Sequence, residues 1–271
     1  MSVMELLARD GYVRISLPAG GEQLLSAFKA VSLEAFSYAD DLKQSQHFNG
    51  KRIGYRPIGG EYTGDPTQWD INESMSFSEM DENLIGSPGP FAEFYALARE
   101  MAQLFDRLAQ VVLTEIAAVY DPNMAPPATL AASWFQTNFY RAAIADTANR
   151  DLMQGRHEDG HLLTVWHSTE PGMEIFPRSG GEAVPVCACS AEILIFPGDL
   201  LKLATAGDVA PLYHQVRRSP SVEQRLAVMY FVNPDIDKEF LPFSQNAPRY
   251  DLADLARREK IVIRPSVMMD I

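Results

Sequence analysis

Two of the five histidines fall in one short segment, GRHEDGHLLTVW, which contains two overlapping metal motifs. One is His-Glu-x-x-His, formed by His157, Glu158 and His161, the pattern of zinc peptidases. It works only on a helix, where positions i and i+4 share a face. Its centre here is Asp159-Gly160, a pair that favours turns, and a glycine costs a helix about 1 kcal/mol relative to alanine. The strand formers Leu162 to Trp166 follow directly, and no well-placed glutamate on a later helix offers a third ligand. The other motif is His-x-Asp. At the strand period of two, His157 and Asp159 point the same way and can reach one metal from a strand end. His214, in the strand-like run LYHQVRR, is the best third ligand. Two histidines and one carboxylate leave coordination positions open, which suits iron(II) and dioxygen chemistry. Arg225 lies 11 positions beyond His214 (225 − 214), in the apolar run RLAVMYFVNP. A guanidinium there is costly without an anion, and it can grip a carboxylate with two parallel hydrogen bonds. A salt bridge to an Asp or Glu is the alternative reading.

Helical and strand-like periodicity divide the elements that must position these groups. ELLARDGYVRISLP reads as a short helix turning at Gly11 into a strand, and GGEQLLSAFKAVSLEAFSYAD as a second helix. Residues 41–90 are polar and rich in Gly and Pro, and read as an irregular stretch of the kind that often carries function. Phe94, Leu97, Met101, Leu104, Phe105, Leu108, Val112 and Ile116 recur at helical spacing, which predicts a packed helix over about 91–120. From about 130 the texture changes to short strand-like runs: SWFQTNFYRA, HLLTVWHS, GMEIFP, AVPVCACSAEILIFPGD, PLYHQVRR and RLAVMYFVNP. Helices followed by many short strands imply a mainly β protein with a helical jacket, a barrel or two-sheet jelly roll. We expect a single domain over 1–271, with a mainly helical region at 1–128, the β core and metal site at 129–235, and a tail at 236–271. That tail carries YDLADLARREK, a candidate helix.

Composition narrows the partners. With 271 residues, 46% of them apolar, the chain can build a normal core. A net charge of −13 disfavours a nucleic-acid partner. The two cysteines, Cys187 and Cys189, would share one face of a strand in poor geometry for a disulfide, which fits a reducing compartment. The first fifteen residues lack the pattern of a signal peptide, and no run is long enough for a membrane span. A soluble, cytoplasmic protein with no membrane partner is expected.

Taken together, these residues resemble the isopenicillin N synthase-like branch of 2-oxoglutarate- and iron(II)-dependent oxygenases. GYVRI resembles the early Gly-Phe-aromatic strand, and IGYRPIGGEY the Gly-Tyr segment near the substrate. TNFYRA is similar to the Asn-x-Tyr strand, and HEDGHLLTV follows His-x-Asp-x-x-x-Leu-Thr. LIFPGDLLKLATAG resembles the run before the distal histidine, and HQVRR with RLAVMYFVNP the closing strands. The resemblance implies a double-stranded β-helix (jelly roll) behind a helical N-terminal region. It makes His157, Asp159 and His214 the iron ligands and Arg225 the clamp for the distal carboxylate of 2-oxoglutarate. Tyr140 and Asn138 become neighbours of that co-substrate, and Tyr55 and Phe231 candidates for the substrate pocket. The cofactors implied are Fe(II), 2-oxoglutarate and dioxygen, and the reaction is oxidation, by default hydroxylation, of a small-molecule metabolite with succinate and CO2 as co-products.

One position departs from the pattern. Where the family's Arg-x-Ser places a hydroxyl, this chain has Ala227, which removes about 1 kcal/mol of hydrogen bonding from the co-substrate site. An iron-dependent oxidase of the same fold that dispenses with 2-oxoglutarate therefore stays open, as do the zinc peptidase and a non-enzymatic jelly-roll binding protein. The intact carboxylate of Asp159 argues against halogenation. Substrate identity and oligomeric state are not legible in these residues.

Overall fold

Ser2 starts the chain's first element by reciprocal capping. Its hydroxyl accepts from the Glu5 amide while the Glu5 carboxylate accepts from the Ser2 amide, which opens helix α1, Val3–Arg9. The computed structural model describes residues 1–47, 53–61, 69–85, 88–178, 180–235, 239–252 and 254–255. After α1 come β1 (Val13–Ser16), α2 (Gly21–Ser37), α3 (Asp40–Gln44), β2 (Gly54–Arg56), β3 (Glu73–Phe77), α4 (Glu82–Ile85) and α5 (Ala92–Tyr120). Then follow β4 (Trp134–Arg141), α6 (Ala142–Ala148), β5 (Leu152–His157), β6 (Leu163–His167), β7 (Met173–Ile175), β8 (Val184–Pro185) and β9 (Glu192–Pro197). The described chain continues through α7 (Asp199–Ala204), β10 (His214–Arg217) and β11 (Gln224–Val232).

The strands form two antiparallel sheets. The larger runs β1-β9-β6-β11-β4-β3-β2 and the smaller β5-β10-β7-β8. Side chains alternate across a strand, so each strand of the large sheet feeds two different cores. On β11, Leu226, Val228, Tyr230 and Val232 join the core under the helices, with Phe94, Met101, Phe105 and Leu113 of α5. Ala227, Met229 and Phe231 turn the other way, into an interior shared with Met173, Ile175 and Val216 of the small sheet. The expected helix over 91–120 is therefore the structural backing of the sheet, and the jelly-roll interior lies on the far side of it.

Three features differ from expectation. Residues 41–90 are not simply irregular, because β2 and β3 extend the large sheet from β4. Their hydrophobic alternation is hidden because Ser74, Ser76 and Arg56 are polar yet buried. AVPVCACSAEILIFPGD is not one strand: it divides into β8 and β9, and Cys187 and Cys189 lie between them as exposed free thiols. Two short helices, α6 and α7, interrupt the strand-rich half. Most of the candidate tail helix lies outside the described residues, although Leu252 and Leu255 are helical and buried. Among the described residues, no helix is long and apolar enough to cross a membrane.

Candidate metal centre

β10 pairs antiparallel with β5, and the pairing sets His214 directly opposite His157. Their rings lie 4.1 Å apart between centroids. Asp159 follows two residues after His157, beyond the strand end. Its Oδ1 lies 3.6 Å from His157 Nε2 and 4.0 Å from His214 Nε2. Each side chain offers a ligand atom within 4.8 Å of the others, so the three could hold a metal ion between two histidines and one carboxylate.

The surrounding hydrogen bonds fix which atoms face the centre. His157 Nδ1 donates to the Gly155 carbonyl at 2.9 Å and His214 Nδ1 to the Leu212 carbonyl at 3.1 Å. Each bond places the proton on Nδ1 and leaves the Nε2 lone pair pointing inward. Thr164 donates to Asp159 Oδ2 at 2.5 Å, which leaves Oδ1 for the metal. Burial, reinforced by the His214 ring, pushes the His157 imidazole down to about 4, so it is a neutral ligand at physiological pH. Burial would raise the Asp159 carboxyl, but His214, His157 and the Thr164 hydroxyl together hold it below its ordinary value, as a carboxylate.

Arg225 sits on β11 opposite Tyr140 of β4, facing the interior. It is 4% exposed, and among the described residues none of its three guanidinium nitrogens has a hydrogen-bond partner. Its guanidinium carbon lies 4.9 Å from the centroid of the Tyr140 ring and 5.8 Å from that of Trp166. Aromatic faces stabilise the charge but satisfy no N–H donor. Gly172 makes room for its stem: a Cβ there would stand 3.3 Å from Arg225 Cδ and 3.0 Å from the Arg217 carbonyl. Tyr140 donates its hydroxyl to Gln154 of β5, at 2.7 Å, and accepts from Asn138 at 3.2 Å. Burial pushes the Tyr140 phenol up to about 12, against the pull of Arg225, so it stays a donor. Ala227 is opposite Asn138, so an amide from the neighbouring strand stands beside the position that lacks the serine hydroxyl.

The remaining expectations divide. Phe231 lies on the inward row of β11, partly buried, 5.0 Å from Trp134. Tyr55 needs correction: it faces the helices, donates to Glu73 at 3.1 Å and lies under the Lys43 ammonium. Its neighbour Arg56 takes the inward place, because a one-residue step along a strand changes face. The zinc-peptidase reading fails on its local geometry. His157 ends a strand rather than lying in a helix, and His161 Nδ1 is bonded to Asn233 at 3.1 Å with its ring edge-on to Trp134. Sequence reasoning missed Gln154, Gln136 and Arg56, and the only signal for them was polar residues at inward positions of strands.

No family model matches the chain. Solved structures do. A full-length Neurospora crassa protein in complex with α-ketoglutarate superposes with a TM-score of 0.74, at 17% identity, over 90% of this chain and 82% of that one. A 2OG-Fe(II) oxygenase family protein of Caulobacter crescentus gives 0.72 at 17% identity, over 96% and 94%. The dioxygenase for auxin oxidation of Arabidopsis thaliana, in its 2-oxoglutarate complex, gives 0.68 at 18%, over 89% of each chain. The chain has the fold of the 2-oxoglutarate- and iron(II)-dependent oxygenases. In this fold the expected double-stranded β-helix is the pair of sheets described above, and the candidate metal ligands come from the small sheet and the loop that leaves it.

Proposed function

We propose that this protein is an iron(II)- and 2-oxoglutarate-dependent oxygenase that oxidises a small molecule, with hydroxylation as the default outcome. The observation that carries the reading is Arg225. A buried guanidinium with no partner for any nitrogen among the described residues is costly, and a carboxylate is the group that removes the cost. It shares the jelly-roll interior with a donor set suited to iron(II), and the Neurospora, Caulobacter and Arabidopsis proteins share the fold.

His157 Nε2, His214 Nε2 and Asp159 Oδ1 would hold the metal, and Arg225 the distal carboxylate of 2-oxoglutarate. With both bound, the centre supplies the activation of dioxygen, coupled to decarboxylation of 2-oxoglutarate to succinate and CO2. The chain's own residues do the rest. The Gly155 and Leu212 carbonyls keep the imidazoles turned to the metal, and Thr164 keeps Asp159 from rotating. Tyr140 and Trp166 cover the Arg225 guanidinium and exclude water from it. Asn138 and Tyr140 line the same inward row and offer hydrogen bonds to the co-substrate.

The test is an anaerobic titration of metal-free protein with iron(II) and then 2-oxoglutarate, monitored by the visible charge-transfer band of the chelated co-substrate. The band should appear in the native chain. In Arg225→Ala, loss of a charge-assisted bidentate contact should weaken 2-oxoglutarate binding by about 30-fold or more. A band unaffected by that substitution would sink the assignment of Arg225, and iron binding with no band at all would sink the use of 2-oxoglutarate.

A further inference from the structure

The interior face of β2, β3 and β4 is polar where a jelly-roll interior is ordinarily apolar. Arg56 Nη2 donates to Ser76 and to Gln136 Oε1, both at 2.9 Å, and lies 3.0 Å from Glu61 Oε1. Glu61 Oε2 accepts from Ser74 at 3.0 Å. Gln136 also donates to Asn138 at 2.8 Å, so the wall is continuous with the Tyr140–Arg225 end of the interior. Arg56 is 6% exposed and Ser74 and Ser76 are fully buried, so the wall lies inside the molecule.

The two inward-facing arginines differ in charge balance. Arg56 carries its own counter-ion in Glu61, whereas Arg225 has none among the described residues. The interior is thus prepared for one anion, at Arg225. A second carboxylate beside the wall would meet a guanidinium already neutralised and would stand close to Glu61.

The wall meets an aromatic corner. Trp134 precedes Gln136 by two residues on β4, facing the same way, and pairs across the strands with Phe231. His161 packs on both rings, with centroids 4.7 Å away in each case. Phe231 is also opposite Thr164, the residue that holds Asp159, so this corner adjoins the metal ligands. Trp134 is 2% exposed, and its indole N–H has no acceptor among the described residues. An unpaired buried donor beside a partly buried aromatic ring calls for a ligand oxygen next to a flat, unsaturated surface.

We infer that the substrate is an uncharged small molecule, not a carboxylate, whose flat unsaturated part packs on Phe231 and Trp134. A carbonyl or hydroxyl oxygen accepts from the Trp134 N–H. Glu61 is the specificity residue, because it cancels the charge of Arg56 and turns away anionic competitors. The inference rests on the oxygenase reading above, and the closing experiment separates the two.

The anaerobic iron(II)–2-oxoglutarate complex is first checked for its charge-transfer band, whose absence would overturn the oxygenase reading itself and the substrate inference with it. Band-forming protein is then titrated with uracil, hydantoin and 2-pyridone as neutral rings, and with phenylacetate, indole-3-acetate and hexanoate as carboxylates. Perturbation of the band reports occupation of the space beside the metal. Neutral rings should perturb the native complex at concentrations at least tenfold lower than the carboxylates. Glu61→Gln should improve carboxylate binding at least tenfold, a gain that loss of structure would not produce. Trp134→Phe, which keeps the ring and removes the donor, should weaken neutral-ring binding by about five- to tenfold. The co-substrate band in each variant shows that the site has folded. Carboxylates that bind the native complex as well as the neutral rings do, neutral rings that bind nowhere, or a Glu61→Gln variant with unchanged selectivity would each overturn the inference.

Discussion

Thr164 decides which oxygen of Asp159 the imidazoles see. Its hydroxyl sits 2.5 Å from Oδ2, and without it the carboxylate can rotate about its last bond. Thr164→Val keeps the shape and removes the donor, so iron(II) affinity should fall about 10- to 100-fold with little loss of stability. Isothermal titration under anaerobic conditions measures it, and unchanged affinity would show that packing alone orients Asp159. The pH dependence follows from His157. Its folded value of about 4 lies below the ordinary 6.5, so between those values the unfolded chain binds more protons than the folded one. Stability of the metal-free protein is therefore full above about 6.5 and is lost as pH falls toward 4, and the lowered Asp159 acts in the same direction. Urea unfolding of metal-free protein at pH 7 and pH 4.5 should show the drop, and His157→Gln should make it shallower. At this scale the sequence was most informative. His-x-Asp is common by chance, and it became legible because a later strand-borne histidine and a lone arginine on an apolar strand stood with it, whereas Tyr55 and Arg56 could not be told apart without knowing which face of β2 is inward.

The loop carrying Asp159 is held by an element that its own sequence does not announce. α7 begins against it: the Asp199 amide donates to the Asp159 carbonyl at 2.8 Å and the Gly198 amide to Leu162 at 3.2 Å. A Cβ on Gly198 would collide with the Asp159 and His161 carbonyl oxygens, which are backbone and cannot swing aside. Gly198→Ala should therefore displace the loop, lowering metal affinity at least tenfold and thermal stability by about 1–3 kcal/mol. Retention of both would mean that the loop has slack the contacts do not suggest. Helices α1, α2 and α5 and the strands after residue 130 were legible because their apolar residues recur at 3.6 or 2. Strands β2 and β3 were not, since their inward positions carry Arg56, Ser74 and Ser76 in place of apolar side chains. α6 and α7 escaped notice because they are only 7 and 6 residues long, too short for a periodicity to declare itself.

The whole molecule keeps its stability and its chemistry in separate compartments. α5 is packed on one face of the large sheet and the candidate metal ligands belong to the other side, so a defect beneath the helix should not reach them. Leu113, fully buried on α5, is the test: Leu113→Ala should cost about 2–5 kcal/mol of unfolding free energy while changing iron(II) affinity less than threefold. A parallel fall in both, measured by urea unfolding and metal titration, would show that the sheet transmits the cavity to the site. The same architecture imposes an order on folding. Among the described residues β1 finds its partner only in β9, where Val13 meets Ile195, a separation of 182 residues (195 − 13). At a synthesis rate of roughly 5–20 residues per second, the first strand leaves the ribosome about 10–40 s before its neighbour exists. During that interval its backbone groups are an open edge, available to any other nascent chain. The amino-terminal strand thus waits on β9, and the cell must keep it from finding the wrong partner in the meantime.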